Sequence, residues 1–416
     1  MTSTEIETEE TTSEESRQLP KGWRWARLGE ACEERTGTRD PHCEPNHPFW
    51  YVDISSVNNL QKQIDSAKHL LGQDAPSRAR QIIRAKDVIV ATTRPNLNAV
   101  ALIPDSLDNQ ICSTGFCVLR PTADIDPDFL FAYVQSSEFV HRLSDLVKGA
   151  LYPAVSDRQV RGQPIPLPPL AEQKRITVIL ADQMAAVGRA QAAAEVQLEA
   201  AIEMPAAYLR KVFATAEAQK WPKARLGDIC EIMGGNTLPE LAEGKNAEKI
   251  YCLKVSDLNG PYSDGRLLNG GAQYTNSSHA GSRVLRAGSV VFPKRGGAIA
   301  TNKKRILSCN AVLDPNLMGI QIKEAGKILP MYLLLWFESW DLASLQSGNT
   351  IPQINQQDLS PLWVQAPSLS EQQRIVDDNS QQMKEANNIR RACSEQIESI
   401  NKLPSVLLRQ AFAGEL

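Results

Sequence analysis

The 416-residue chain lacks most signatures by which a sequence declares a compartment or a chemistry. No run approaches the ~18 apolar residues of a membrane span. The start, Met1 followed by Thr, Ser and Glu, has neither the basic stretch nor the apolar core of a signal peptide, so the expected compartment is the cytoplasm. The eight cysteines (Cys32, Cys43, Cys112, Cys117, Cys230, Cys252, Cys309 and Cys393) include no Cys-x-x-Cys pair and no His at finger spacing. That speaks against a zinc ribbon and a disulfide framework, and for free, mostly buried thiols. The five histidines show no metal-ligand spacing. No Gly-x-x-x-x-Gly-Lys-Ser/Thr loop is present to cradle ATP phosphates, and Gly234-Gly235, Gly270-Gly271 and Gly296-Gly297 lack the rest of any such loop. A base methyltransferase needs a Gly-rich cofactor loop and an Asn/Asp-Pro-Pro-aromatic loop; Asp314-Pro315-Asn316-Leu317 is only a turn. Asp105 and Asp108 have no acid-x-Lys partner of the nuclease kind. The expectation is a chain with no catalytic residues, no metal and no cofactor.

Charge is unevenly spread. Residues 1–17 hold six Glu and one Arg, net −5, so with −3 over the whole chain the other 399 residues carry +2. Such an acidic, Thr/Ser-rich leader has little to bury, and a disordered tail over 1–18 is expected. The near-neutral body differs from a stand-alone, strongly basic DNA binder. Any nucleic-acid contact must come from local clusters or be shared with partners.

What is present is a repeat. Trp23-Arg-Trp-Ala26-Arg27-Leu28-Gly29-Glu30-Ala-Cys32-Glu33 returns at an offset of 198 as Trp221-Pro-Lys-Ala224-Arg225-Leu226-Gly227-Asp228-Ile-Cys230-Glu231. Pro168-Pro-Leu170-Ala-Glu172-Gln173-Lys-Arg175-Ile176 returns at 199 as Pro367-Ser-Leu369-Ser-Glu371-Gln372-Gln-Arg374-Ile375. Met204-Pro205 through Leu209-Arg210-Lys-Val-Phe213-Ala214 matches Leu403-Pro404 through Leu408-Arg409-Gln-Ala-Phe412-Ala413. Between these segments, residues 36–150 and 234–348 share only echoes, such as Ile83-Arg84-Ala85 through Val90 against Leu285-Arg286-Ala287 through Phe292. The frame is duplicated and the inserts have diverged, as expected of one scaffold carrying two different recognition surfaces.

Short β-rich runs (Val88–Ala91, Cys117–Leu119, Val290–Phe292) bounded by Gly, Pro and Asn, and short apolar helices near Phe129–Ser136 and Met331–Phe337, mark the inserts as mixed α and β. After each proline-containing stretch a helix of about 30 residues (~45 Å) is expected. Ile176, Leu180, Met184, Val187, Ala194, Leu198 and Ala201 follow three-four spacing, as do Ile375, Met383, Ala386, Cys393, Ile397 and Ile400; Asn379 and Arg390 make the second stripe less apolar. Such a stripe suits a coiled-coil seam or docking onto the helix's own domain.

The order Pro-x-Leu-x-Glu-Gln-x-Arg-Ile, long helix, Leu/Met-Pro-x-x-x-Leu-Arg-x-x-Phe-Ala, present twice and ending at Phe412-Ala413-Gly414-Glu415-Leu416, resembles the DNA-specificity subunits of type I restriction-modification enzymes (HsdS). The first copy departs from it by running into Thr215-Ala216 without Gly-Glu-Leu, which we read as positional. The resemblance implies an α+β fold: two β-rich α/β target recognition domains, separated by two long antiparallel, coiled-coil helices, in a pseudo-two-fold repeat. The boundaries are 1–18 tail, 19–168 first recognition domain, 169–215 first long helix and linker, 216–367 second recognition domain, and 368–416 second long helix and C-terminal segment. It further implies a non-catalytic subunit that binds double-stranded DNA, one half-site per domain, and directs two methyltransferase subunits, with restriction or translocase subunits as further partners. A subunit of a methylation-only system, or the recognition part of a fused methyltransferase-nuclease, would share these features.

The strongest local signal for DNA contact is Lys294-Arg295-Gly-Gly-Ala-Ile-Ala-Thr301-Asn302-Lys303-Lys304-Arg305, five positive charges in twelve residues with no acid. Either it meets phosphate and guanine or it is a solvated loop. The matching region of the first half, Thr92-Thr93-Arg94-Pro95-Asn96-Leu97-Asn98, is less basic and richer in amides suited to adenine edges. A second loop pair aligns at 199: Lys148-Gly149-Ala-Leu-Tyr152-Pro153-Ala-Val-Ser156-Asp-Arg158 and Ser347-Gly348-Asn349-Thr350-Ile-Pro352-Gln353-Ile-Asn355. The DNA candidates are therefore Thr93, Arg94, Asn96, Asn98, Lys148, Tyr152 and Arg158 in the first half. In the second they are Lys294, Arg295, Asn302, Lys303, Lys304, Arg305, Asn349, Gln353 and Asn355. Glu172, Gln173, Arg175, Glu371, Gln372 and Arg374, in the first turn of each long helix, are candidates both for capping and for docking partner subunits.

Overall fold

The computed structural model describes residues 18–149, 151–241, 249–277, 279–281, 283–347 and 352–416; the acidic leader 1–17 and Asn349 lie outside them. The chain divides into two compact units, one made of residues up to Ala194 together with Gln396–Leu416, the other of Glu195–Glu395.

In the first unit, strand Arg24–Arg27 pairs antiparallel with Pro164–Leu167, so the repeated Ala-Arg-Leu-Gly segment closes against the end of its own domain. A three-stranded sheet runs Phe116–Leu119, Val88–Ala91, Val100–Leu102. A four-stranded sheet runs Lys68–Leu71, Pro48–Val52, Gln110–Ser113, Ala79–Ile83, with its middle pair parallel. Val88–Ala91 and Phe116–Leu119 are buried at every position, as continuous apolar runs require. Helix Pro127–Val134 begins with proline at its first turn and Asp126 accepting from the amides of Asp128 and Phe129. It lays Phe129, Leu130 and Tyr133 into the core with Val88, Val90 and Leu119.

The second unit repeats the plan. Lys223–Arg225 pairs with Trp363–Gln365. A six-stranded sheet runs Cys230–Gly234, Leu317–Ile322, Val290–Pro293, Arg305–Leu307, Leu267–Leu268, Ser263–Asp264, beside a three-stranded one of Gln273–Asn276, Lys249–Leu253, Ala311–Leu313. Helix Pro330–Glu338 buries Tyr332 through Phe337.

Each long helix is fastened to its domain by one buried amide. Gln173 is fully buried; its Oε1 accepts from the Asp126 amide at 2.8 Å, and its Nε2 donates to Asp124 O at 3.0 Å and Pro168 O at 2.8 Å. Gln372, equally buried, accepts from the Leu329 amide at 2.8 Å and donates to Lys327 O at 3.1 Å and Pro367 O at 2.9 Å. These two residues are thus corrected from candidate partner contacts to internal ties, because both are fully buried and each spends three hydrogen bonds within its own unit.

The first long helix runs unbroken over Leu170–Ala214 with Pro205 inside it, and at 45 residues is longer than the expected length. The second is divided into Leu369–Ile400 and Leu403–Ala413, the latter with Pro404 in its first turn. Asn379, Ala386, Cys393 and Ile400 are buried at seven-residue spacing, as the stripe foresaw. The repeated Leu-Arg-x-x-Phe-Ala ends join the globular cores. Phe412 meets Phe129 and Tyr133 edge-on at 5.2 and 5.1 Å in the first unit, and Phe213 meets Tyr332 at 5.8 Å in the second. The C-terminal segment therefore belongs to the unit built from the chain's first half. Gly414, at φ +74°, abuts Pro20 where a Cβ would stand 2.3 Å from its ring, and Arg175 donates to Leu416 O at 2.6 Å.

Gln173→Ala strips three partners of their hydrogen bonds in a buried place. We expect a loss of about 1–3 kcal/mol and a lower midpoint in denaturant unfolding, with the same for Gln372→Ala. An unchanged midpoint in both variants would show that these amides do not hold the helices.

Candidate nucleic-acid interface

The structure brings the two sequence-flagged loops of each half together. In the first unit, Val88–Ala91 leads into the loop at Thr92. The Arg94 amide donates to Pro153 O and the Val155 amide to Thr92 O, both at 2.8 Å. In the second, Val290–Pro293 leads into the equivalent loop, where the Gly296 amide donates to Pro352 O and the Ile354 amide to Lys294 O, both at 2.9 Å. The frame of the loop pair is the same, and what it displays differs.

On the first frame Arg94 and Asn98 adopt left-handed backbone at φ 50° and 46°, flanking a single turn at Pro95–Leu97. Arg94, Asn96 and Lys148 are exposed and Thr93 is half-buried. Tyr152 is 84% exposed and its neighbour Leu151 88%, so this loop presents an aromatic and an aliphatic tip beside the cations. Lys62 donates to Asn98 O at 2.6 Å and steadies the turn. Arg158 is exposed on the short helix Asp157–Arg161, which is capped by Ser156.

On the second frame the five charges separate. Arg295 is exposed and donates to Gln353 Oε1 at 3.3 Å. Lys294 is half-buried, and its amine is held below its ordinary pKa by burial and then by the neighbouring Arg295 and Arg283 charges. Lys303 donates to Asn259 Oδ1. Arg305 lies on strand Arg305–Leu307 with its Nε on Ser263 Oγ at 2.8 Å.

Lys304 corrects the expectation. It is 2% exposed, donates to Asn302 Oδ1 at 2.8 Å and Trp340 O at 2.7 Å, and stands over the Phe337 ring at 5.2 Å. Burial pushes its amine down to about 8. It anchors the loop from within and cannot also reach a phosphate. Asn302 Oδ1 is likewise taken, by Lys304 and by the Leu342 amide at 2.9 Å. Asn355 caps helix Gln356–Leu359, its amide donating to Asp358 Oδ2 at 2.6 Å, and its Oδ1 accepts from Gln353 Nε2 at 2.6 Å.

At the roots of the long helices Glu172 takes two hydrogen bonds from Arg175 at 2.8 Å, and Glu371 takes two from Arg374 at 2.5 and 2.9 Å. Those bonds hold both carboxyls below the usual range. Among the described residues no group of three or more His, Cys, Asp or Glu could hold a metal ion.

Sequence reasoning missed a concavity beside each loop pair. One of about 700 Å³ includes Arg35, Thr36, Gly37, Gln81, Arg158 and Arg161. The other, about 300 Å³, includes Gly234, Gly235, Asn236, Thr237, His279 and Arg283. The available signal was Gly37 and Gly235, which coincide at the offset of the preceding repeat.

The family model described as the type I restriction modification DNA specificity domain matches residues 20–197 and again 218–399. The EcoKI type I restriction enzyme specificity subunit of Escherichia coli K12 is 23% identical over 392 residues, covering 88% of this chain and 82% of that protein. Two solved structures are alike throughout. A chain from a structure describing complex assembly and conformational transition of the type I R-M system is 33% identical with a TM-score of 0.76, covering 96% of this chain and 100% of its own. The HsdS subunit from Thermoanaerobacter tengcongensis is 32% identical with a TM-score of 0.67, covering 96% and 99%.

An unfolded lysine titrates near ~10.5, so between about 8 and ~10.5 the unfolded chain binds more protons than the fold at Lys304. Stability from this group therefore rises with pH. The difference in unfolding free energy between the natural chain and Lys304→Met should grow by up to about 1.4 kcal/mol per pH unit across that window. A flat difference would place the amine in solvent.

Proposed function

The chain belongs to the type I restriction-modification DNA specificity family, and on that premise we propose that each of its two units reads one half of a split DNA target for separate methyltransferase subunits. It is a DNA specificity subunit; the finer assignments that follow are our reading. The carrying observation is the pair of matched loop frames with unlike displays. Amides, hydroxyls, Arg94 and the Leu151–Tyr152 tip occupy one. Lys294, Arg295 and Gln353 occupy the other.

A duplex presents the same phosphates everywhere, so anchoring can be alike in both halves while base contacts must differ. Arg295, exposed and aimed by Gln353, is suited to a guanine edge. Lys303 and Lys148 suit phosphate, and Arg305 contributes charge from its strand. Lys304, Asn302, Asn355 and the two buried glutamines serve the scaffold.

The family's specificity subunits are recognition proteins, and we assign the chemistry to partners: two methyltransferase subunits, with restriction or translocase subunits joining where the system cuts. The Glu172–Arg175 and Glu371–Arg374 pairs, each a half-buried glutamate with an exposed arginine, are the groups we assign to partner docking. The described residues include no helix long and apolar enough to cross a membrane, and we place the activity in the cytoplasm, with the DNA.

Methylome sequencing of a host with and without this gene tests the proposal. Loss of one split methylation motif on deletion is expected, together with no base methylation by the purified chain supplied with S-adenosylmethionine. An unchanged methylome, or methylation by the chain alone, would contradict it.

A further inference from the structure

We propose that the concavity beside each loop pair is a second base-reading subsite, with Arg35 and Arg158 as its contact residues in the first unit and Arg283 in the second. The inference rests on the half-site reading above and extends it from Arg158, at the end of one loop pair, to segments outside the pairs.

The two concavities share one wall in the two copies of the scaffold, while the facing wall differs, with Val118, Asp157 and Arg161 in the first and His279, Val312 and Leu313 in the second. Residues 34–38 follow the repeated Cys-Glu pair as 232–236 follow it at offset 198. Gln81 and Arg283 stand at offset 202, the offset that also aligns Val88–Ala91 with Val290–Pro293. Backbone needs at the hinge are met by glycine in both. Gly37 sits at φ +85°, and a Cβ on Gly235 would stand 1.8 Å from Asp314 O.

Each concavity adjoins its loop pair. Arg158 lies on the short helix that follows the Tyr152–Val155 stretch. The Lys294 amine comes within 2.9 Å of where a Gly234 Cβ would be, so Gly234 opens the path between that loop and the concavity.

On the shared wall the side chains change: Arg35 becomes Met233, Thr38 becomes Asn236, and Gln81 becomes Arg283. A phosphate-only contact asks for no such change, since every half-site offers the same backbone; a base-reading contact requires it. The side chains are also available. Among the described residues no hydrogen bond or ion pair engages the exposed guanidiniums of Arg35 and Arg158. Arg161 instead donates to Glu33 O and Val118 O, both at 2.8 Å, and builds the wall.

Gln81 is tied down by its own amide, donating to Ser113 O at 3.0 Å and Phe116 O at 2.6 Å. Its counterpart Arg283 is exposed. With the Asn236 amide turned so that its oxygen faces the guanidinium, Asn236 accepts from Arg283 at 3.1 Å. That bond orients the group and leaves further N–H donors for the two acceptors of a guanine edge. Burial depresses the Lys294 amine and the nearby Arg295 and Arg283 charges add to it, with Asp314 opposing; an acceptor-rich partner would relieve the crowding of these three cations.

The test uses the full chain assembled with its methyltransferase subunits, carrying Arg283→Ala or Arg35→Ala. Binding is measured to the methylome-determined duplex and to each single-base replacement of it, at two salt concentrations. Arg283→Ala should relax the preference at one position of one half-site by roughly tenfold or more, and Arg35→Ala at a position of the other. Both arginines are exposed, so the unfolding transition should not move. Equal weakening on every duplex with a shallower salt dependence would mark a phosphate contact and overturn the inference. Unchanged binding would overturn it too, and both results leave the half-site reading standing. If the unaltered complex shows no preference for its target, the half-site reading fails and takes the inference with it.

Discussion

Everything that makes this chain useful hangs on a buried side-chain amide used twice. A helix of 45 residues can relate anything to anything only if its root is fixed. Gln173 and Gln372 fix the roots by satisfying three backbone groups each inside dry protein. Such an interaction is worth little as a net gain and much as a constraint, because any other arrangement strands buried polar groups. The far end of each repeat is fixed by complementary means: Phe213 and Phe412 enter aromatic clusters around Tyr332 and Tyr133. A polar tie at the start of each long helix and an aromatic plug at its end account for two of the three segments that the repeat preserves; the third closes each domain by a strand pair.

Between these anchors the sequence has been free to change, within limits that the strands set. Val88–Ala91 and Val290–Pro293 stay buried, and each hands the chain to a loop held by the same two backbone hydrogen bonds. Backbone bonds do not depend on side-chain identity, so the loops can exchange amides for cations without losing their shape. This is how one scaffold can carry two specificities.

Much of this was legible in the sequence. The duplication, the buried strands, the helix stripes and the match of each loop region to its copy in the other half all follow from spacing and apolar pattern. Two features were not. A glutamine beside a glutamate at a helix start reads as a surface residue, because its partners, Asp124 and Asp126, or Lys327 and Leu329, lie more than 40 residues away in the chain. Likewise Lys304, between Lys303 and Arg305, reads as one more surface cation, yet alternation along the chain turns it inward onto Phe337 and Trp340. A run of like charges cannot report which member faces the core. The concavities around Gly37 and Gly235 were hidden for a third reason: their walls come from segments well separated in the chain, and only the glycines repeat.

The central claim is that each insert reads its own half of the DNA target on a shared frame. The most direct test is a chain in which residues 230–354 are replaced by a second copy of 32–155, assembled with its methyltransferase subunits and assayed by methylome sequencing. The account predicts a methylated target in which both halves carry the half-site of the first insert. Retention of the original second half-site by a folded, active complex would contradict it.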